Sequence, residues 1–323
     1  MAWFNIVTEN HGDTDSAAMA LAPPVRYLRQ VLGANGHEVT VTYDQIYPRA
    51  INLWLENFRG PKDYAQQFRD LRRKHGARVG VIATELIVGG VIPYDVQGVD
   101  LMGAPAERQK SLMRERVAKL NAVVGEIDFL WSFLQRTAEE YAGRCAISDF
   151  LPVGFTGAVA YRERRSPKDI DVFFFGRATR HRAMVLNRFA DTGLSVAFSG
   201  IGMPGGWAPD YIVESMLDRA KIGLNLTLQS RGDTKADPRF ASCFRVKEML
   251  ERGVCVVSED IPLDNPYREF VTSSAVEDIA DTCRRLISAG EWEALTPHRT
   301  GAFQKTMDAA KIAADIVAKA VKT

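Results

Sequence analysis

Lys221-Ile222-Gly223-Leu224-Asn225-Leu226, then Phe244-Arg245-Val246-Lys247-Glu248-Met249-Leu250-Glu251-Arg252-Gly253 and Val254-Cys255-Val256-Val257-Ser258-Glu259-Asp260, make up the stretch on which the fold turns. A polar segment carrying Asp233, Lys235, Asp237 and Arg239 separates the first run from the second. Two apolar runs too short for helices flank a segment of helical periodicity that a glycine closes, which reads as strand, loop, helix, stop, strand. Parallel strands need such a crossover, and open parallel sheets bind ligands at the carboxyl ends of their strands. Arg245 and Glu248 are three residues apart and so share a helix face. The arginine suits a phosphate, and the glutamate can accept hydroxyl protons. A solvated amphipathic helix with a surface ion pair fits the same residues.

The alternation continues on both sides of this stretch. Trp3–Val7, His37–Thr42, Ala50–Phe58, Arg78–Glu85 and Ile127–Trp131 read as strands. Helices are expected over Ala17–Leu32, interrupted early at Pro23-Pro24, and over Tyr64–Lys74, Ala106–Val124 and Thr137–Ala142. Cys145–Ser148 and Phe150–Phe155 close this half as strands. Repeated strand–helix alternation predicts a doubly wound, mostly parallel sheet. A charged, turn-rich run, Tyr161–Asp169, marks a boundary,. Beyond it lies Ile170–Gly176, a buried strand ending in glycine, then Arg177-Ala178-Thr179-Arg180-His181 and a helix from Arg182 to Phe189. Gly176 lets the backbone approach a ligand, the helix start supplies unpaired N–H groups, and Arg177, Arg180 and Arg182 add charge, so an anion site is expected there. A solvated basic helix start is the alternative. The pattern is not Gly-x-Gly-x-x-Gly, which disfavours a nicotinamide dinucleotide. The tail, from Pro297 through the Ala-rich segment ending at Val321, reads as an amphipathic helix.

Several of these motifs carry a resemblance. Lys221-Ile222-x-Leu224-Asn225, the Arg245-x-x-Glu248 helix, the Val-Val-Ser strand, Pro152-Val153-Gly154-Phe155 and Phe174-Phe175-Gly176 with Arg182 resemble the "glycosyl transferases group 1", spore-maturation glycosyltransferase-like family of the GT-B fold. The resemblance is fairest over Leu151–Asp260 and is mainly one of pattern before that. It implies two Rossmann-like doubly wound α/β domains facing across a cleft. Residues 1–160 would bind the acceptor, residues 161–300 would bind a nucleotide sugar, and a C-terminal helix over 301–323 would cross back to the N-terminal domain or serve as a homodimer contact. Glu248 would hold ribose or sugar hydroxyls, and Asn225 would support the loop. Gly176, Arg177, Arg180, Arg182, Arg245 and Lys247 would seat the diphosphate. Many retaining members carry a second glutamate eight residues before this one, where this chain has Phe240. Inverting members place a base just after the first strand, which points to His11 or Asp13, and Glu56 and Glu85 match positions that recur in the family. Helix capping or an interdomain ion pair would equally account for Glu56 and Glu85.

Composition narrows the classes further. At 46% apolar and 25% charged the chain is an ordinary globular protein,. A net charge of +1 offers no bulk attraction for nucleic acid or an acidic membrane,. Four scattered cysteines, Cys145, Cys243, Cys255 and Cys283, without a Cys-x-x-Cys pair, read as thiols of a reducing compartment,. No basic n-region precedes the first strand, and no apolar run reaches the roughly 20 residues of a membrane span. A cytoplasmic location is expected. Asp13-Thr14-Asp15 matches a metal-binding Asp-x-Asp pattern but more simply caps the following helix,. The expectation is therefore a transferase that moves sugar from a nucleotide donor to a carbohydrate, lipid-linked or protein acceptor. It would need no metal or other cofactor, because arginines would stabilise the diphosphate. The alternatives are a nucleotide-sugar epimerase or hydrolase and a non-catalytic binding protein on the same frame.

Overall fold

The computed structural model describes residues 1–8, 16–92, 106–157, 167–200, 203, 206, 208–227 and 242–322. They fall into two compact units. One holds the described residues of Met1–Pro93, Lys110–Thr156 and Asp308–Thr323, the other those of Tyr94–Gln109 and Gly157–Met307.

The first unit is built on a six-stranded sheet of β1 (Trp3–Thr8), β2 (Glu38–Tyr43), β3 (Ile51–Leu55), β4 (Arg78–Ala83), β5 (Phe129–Ser132) and β6 (Ser148–Phe150), in spatial order β2-β1-β3-β4-β5-β6. All its pairings are parallel. Such strands are covered on both faces and read as near-continuous apolar runs; Ile51-Asn52-Leu53-Trp54-Leu55 is buried throughout. Helices α1 (Ser16–Ala34), α2 (Tyr64–His75), α3 (Ala106–Val123) and α4 (Gln135–Tyr141) connect the strands. Local chemistry sets the ends of α2. Asp63 accepts a hydrogen bond from the Gln66 N–H at 3.0 Å, and Gly76, at φ +60°, closes the helix in the left-handed conformation,.

The second unit repeats the plan. Its strands are β7 (Ile170–Phe175), β8 (Val196–Ser199), β9 (Ala220–Asn225), β10 (Cys255–Glu259) and β11 (Thr272–Ser274), ordered β11-β10-β9-β7-β8, all parallel. Helices α5 (Arg180–Asn187), α6 (Asp210–Arg219), α7 (Cys243–Glu251), α8 (Ile279–Ser288) and α9 (Glu291–Thr306) accompany them. Taken from one edge, both sheets run second, first, third, fourth, fifth strand. Each therefore has one point where the winding reverses, between β1 and β3 in the first unit and between β7 and β9 in the second. Ligands of open α/β sheets bind at the carboxyl ends of strands at such a point.

Three expectations are corrected. Pro23 and Pro24 lie inside α1 without ending it. The hydrogen bonds they forgo are outweighed by burying Tyr27, Leu28, Val31 and Leu32 along the rest of the helix,. The two strands expected over 145–155 are one, Ser148–Phe150. Pro152 has no N–H for a ladder, and the Tyr27 hydroxyl instead donates to the Pro152 carbonyl at 2.7 Å and accepts from the Gly154 N–H at 3.0 Å. The tail is two helices rather than one, α9 with Pro297 inside it and α10 (Ala309–Lys322). The latter belongs to the first unit. The Ala309 N–H donates to the Phe155 carbonyl at 3.0 Å, Asn35 donates to the Ala310 carbonyl at 3.1 Å, and Arg78 donates to the carbonyls of Ala320 and Val321. Its buried residues are Ala309, Ala313, Val317 and Ala320, three of them small enough to let the helix lie close.

Close approach also explains Gly80 in β4. A Cβ there would lie 2.3 Å from the Phe129 ring and 2.8 Å from Leu53 Cδ2. At Gly223 the corresponding obstacle is the flexible Met249 thioether. Gly80→Ala is expected to lose about 1–3 kcal/mol of stability, the usual cost of overpacking, and Gly223→Ala distinctly less, as measured by urea unfolding.

Candidate functional site

In the second unit the reversal point is lined by two arginines. β7 ends at Phe175 and is followed by Gly176; β9 ends at Asn225 and is followed by Leu226 and Thr227. Thr179 caps α5, its hydroxyl accepting from the Arg182 N–H at 3.2 Å, and this turns the Arg182 side chain inward. The buried Arg182 guanidinium donates to the carbonyls of Arg177 (2.8 Å), Leu226 (2.8 Å) and Thr227 (2.9 Å) and lies over the Phe174 ring. Arg245 reaches the same place from the first turn of α7. It donates to the Phe175 carbonyl at 3.0 Å, to Asn225 Oδ1 at 3.2 Å and to the Leu226 carbonyl at 3.3 Å, and it covers the rings of Phe174 and Phe175. Asn225 is held in turn by its amide N–H to Ser258 Oγ at 3.0 Å.

Glycine makes this convergence possible. A Cβ on Gly176, at φ +145°, would stand 2.9 Å from Arg245 Nη2 and 3.4 Å from Arg182 Nη1. A Cβ on Gly200 would overlap the Gly176 carbonyl oxygen at 1.7 Å. Only backbone can occupy these two positions.

Arg245 is a desolvated cation. Burial pulls the Arg245 pKa down to about 10, and the charge of Glu259 only partly offsets it. No carboxylate among the described residues lies within ion-pair distance of Arg245. Glu259 is spent elsewhere. Its buried carboxylate accepts from the Thr227 N–H (3.0 Å), the Thr227 hydroxyl (2.8 Å) and His181 Nε2 (2.8 Å). Thr227 is thus gripped through its carbonyl by Arg182 and through its N–H and hydroxyl by Glu259.

The sequence-expected donor residues divide accordingly. Gly176, Arg182, Asn225 and Arg245 come together. Arg177 and Arg180 flank them with exposed side chains. Lys247 does not join them: it is buried and paired with Glu251 at 2.6 Å, because two residues along a helix is more than half a turn from Arg245,. Glu248, three residues on, sits one turn deeper on α7, its Oε2 3.9 Å from Arg252 Nε. His11 and Asp13, like Phe240 and the charged residues 233–239, lie outside the described residues.

The first unit has the opposite character at the ends of its central strands. Glu56, fully buried after β3, receives Arg116 in a bidentate pair, Nε–Oε1 at 2.9 Å and Nη2–Oε2 at 2.8 Å. Arg116 Nη1 also donates to Glu85 Oε1 at 3.1 Å, at the end of β4. Burial raises the Glu56 pKa, opposed by Arg116. Burial alone would lower the Arg116 pKa, but Glu56 and Glu85 outweigh it and hold the guanidinium charged. Sequence reasoning picked the two glutamates and missed the arginine between them. The signal was present: Arg116 falls on the stripe of α3 that also carries the buried Val117 and Leu120, where a charge must be paired. Among the described residues no cluster of metal-ligating side chains occurs.

No protein-family model matches the chain, and no curated protein matches its sequence. Solved structures do match it. AviGT4, a glycosyltransferase involved in avilamycin A biosynthesis, superposes with a TM-score of 0.55 at 12% identity, covering 100% of this chain and 98% of that one. The trehalose-6-phosphate protein from E. coli bound with UDP-2-fluoro glucose gives 0.53 at 8% identity, covering 99% of each chain. An alpha,alpha-trehalose-phosphate synthase (UDP-forming) from Burkholderia vietnamiensis gives 0.50 at 10% identity over 96% of this chain and 81% of that one. The likeness is one of fold: two parallel-sheet α/β domains of the GT-B glycosyltransferase kind.

Removing one member of a buried ion pair leaves the other uncompensated. Arg116→Met is expected to cost about 3–5 kcal/mol in urea unfolding, whereas Glu85→Gln, at the partly exposed end of the cluster, is expected to cost under about 1 kcal/mol.

Proposed function

We propose that the chain transfers a sugar from a nucleotide-sugar donor to an acceptor hydroxyl or other nucleophile, with the donor held by the second unit and the acceptor by the first. The observation that carries this reading is the pair of arginines at the reversal point of the second sheet. Arg245 is desolvated, and among the described residues it meets carbonyls, an amide oxygen and aromatic rings, so an incoming anion supplies a countercharge. A diphosphate fits the fork geometry of two guanidiniums. The exposed Arg177 and Arg180 and the backbone at Gly176 add donors around it. As the glycosidic bond breaks, negative charge grows on the departing diphosphate. Fixed cations already in place stabilise it without reorganisation, the service a divalent metal renders elsewhere.

Glu248 takes the ribose or sugar hydroxyls, and Asn225 positions Arg245 through its side-chain oxygen. On the acceptor side, Glu85 is the carboxylate with both exposure and a fixed neighbour, and His11 and Asp13 are assigned to acid–base work on the resemblance alone. The acceptor is a carbohydrate, a lipid-linked saccharide or a protein. No helix among the described residues is long and apolar enough to cross a membrane. A non-catalytic nucleotide-sugar-binding protein is the second reading, favoured by Phe240 where the resembling family carries a glutamate.

Two outcomes are expected. Uridine or guanosine diphosphate at a hundredfold excess over Kd should raise stability by about 2.7 kcal/mol in a thermal-shift assay, and Arg245→Gln should weaken that ligand at least about tenfold, or about 1.4 kcal/mol. Sugar turnover with the matching nucleotide sugar should survive chelation by EDTA. Failure of every nucleotide to bind would overturn both readings, while binding without turnover on any acceptor would select the second.

A further inference from the structure

Arg252 caps the C-terminus of α7, and its side chain is one of the most deeply placed charges in the second unit, 4% exposed. Its Nη2 meets Glu214 Oε2 at 2.9 Å and its Nη1 meets Asp218 Oδ1 at 3.0 Å, both carboxylates standing one turn apart on α6. The remaining donor, Nε, is buried and has no hydrogen-bond partner among the described residues. Glu248 Oε2 lies 3.9 Å from it, on the last full turn of α7. A glutamate four residues before an arginine is the favourable order for a helical pair, and a side chain on a helix leans toward the N-terminus, which aims Arg252 back at Glu248. One guanidinium is thus anchored to α6 by two hydrogen-bonded ion pairs and presents its third side to the candidate donor-binding glutamate.

We propose that Arg252 is a positioning residue for Glu248. Anchored by α6, it draws Glu248 Oε2 down along α7 and sets the orientation in which that carboxylate accepts hydroxyl groups from the nucleotide or its sugar. The gap of 3.9 Å is too long for a hydrogen bond, so the pull is electrostatic in this state. A shift of about 1 Å brings the pair within hydrogen-bond range and gives the buried Nε–H its acceptor, which ties ordering of Glu248 to ligand binding. Lys247 and Glu251, the other charged pair of this helix, are buried and bonded to each other at 2.6 Å, and take no part. The inference rests on the donor-site reading above, in which Glu248 meets hydroxyls while Arg182 and Arg245 meet phosphate. That division supplies the test, because inorganic pyrophosphate engages the arginines alone.

Calorimetric affinities for inorganic pyrophosphate, UDP, GDP, UDP-glucose and GDP-mannose are to be compared in the unaltered chain, Arg252→Gln and Arg252→Lys. For the hydroxyl-bearing ligand that binds the unaltered chain, Arg252→Gln is expected to weaken binding about tenfold, with pyrophosphate changed less than about twofold. Arg252→Lys, which keeps the charge but lacks Nε, should fall between the two, and it carries the test alone should the glutamine variant not fold. Equal losses for pyrophosphate and the nucleotide would reveal a purely structural role and overturn the proposal. Unchanged nucleotide affinity in the folded variants would overturn it while leaving the donor site standing. An unaltered chain that binds pyrophosphate but no nucleotide would remove the donor reading and this proposal together.

Discussion

One carbonyl oxygen, that of Leu226, accepts from both Arg182 (2.8 Å) and Arg245 (3.3 Å), and the second unit is arranged around making that convergence possible. Two cations 63 residues apart in sequence are brought to the same strand end. Carbonyl dipoles and the faces of Phe174 and Phe175 surround both guanidiniums,. Dipoles solvate a charge less fully than a counterion does, which is why burial depresses the Arg245 pKa,. The arrangement keeps positive charge at the point where the strand order reverses,.

The first unit uses the same strand order to the opposite electrostatic end. There Arg116 is enclosed by Glu56 and Glu85, two carboxyl groups on one guanidinium. One sheet gathers arginines at its reversal point, and the other gathers two glutamates around one arginine. The folds are near copies; the charges placed at their reversal points are what distinguish them, in line with function residing in sites rather than in folds.

Much of this was legible from local pattern. The runs Ile170–Phe175 and Cys255–Glu259 are strands because they are short, apolar and β-branched or aromatic, and α7 is a helix because its apolar residues recur at helical spacing up to Gly253. Gly176 and Arg182 could be picked because a glycine at a strand end followed by a helix start has few other uses. Where the reading failed, the cause was distance in sequence. Lys247 looked like a phosphate ligand until its angular position on α7 and its partner Glu251 were known. Arg116, His181, Glu259 and Arg252 were passed over because each acts on residues from 32 to 78 positions away or across two helices.

The sequence by itself determined the class of structure, the alternation of strand and helix in each half, and the presence of arginines, glycines and glutamates at strand ends. These follow from periodicities of two and 3.6 residues and from the special backbone freedom of glycine, all of which act over a few neighbours. Only the tertiary structure decided which charges meet. It turned Arg182 inward and left Arg180 outside, spent Lys247 on Glu251, closed Glu56 onto Arg116, and returned α10 to the unit that opens the chain. Ion pairing and desolvation depend on through-space distance, and that distance is fixed only when the parallel crossovers have brought remote strand ends side by side.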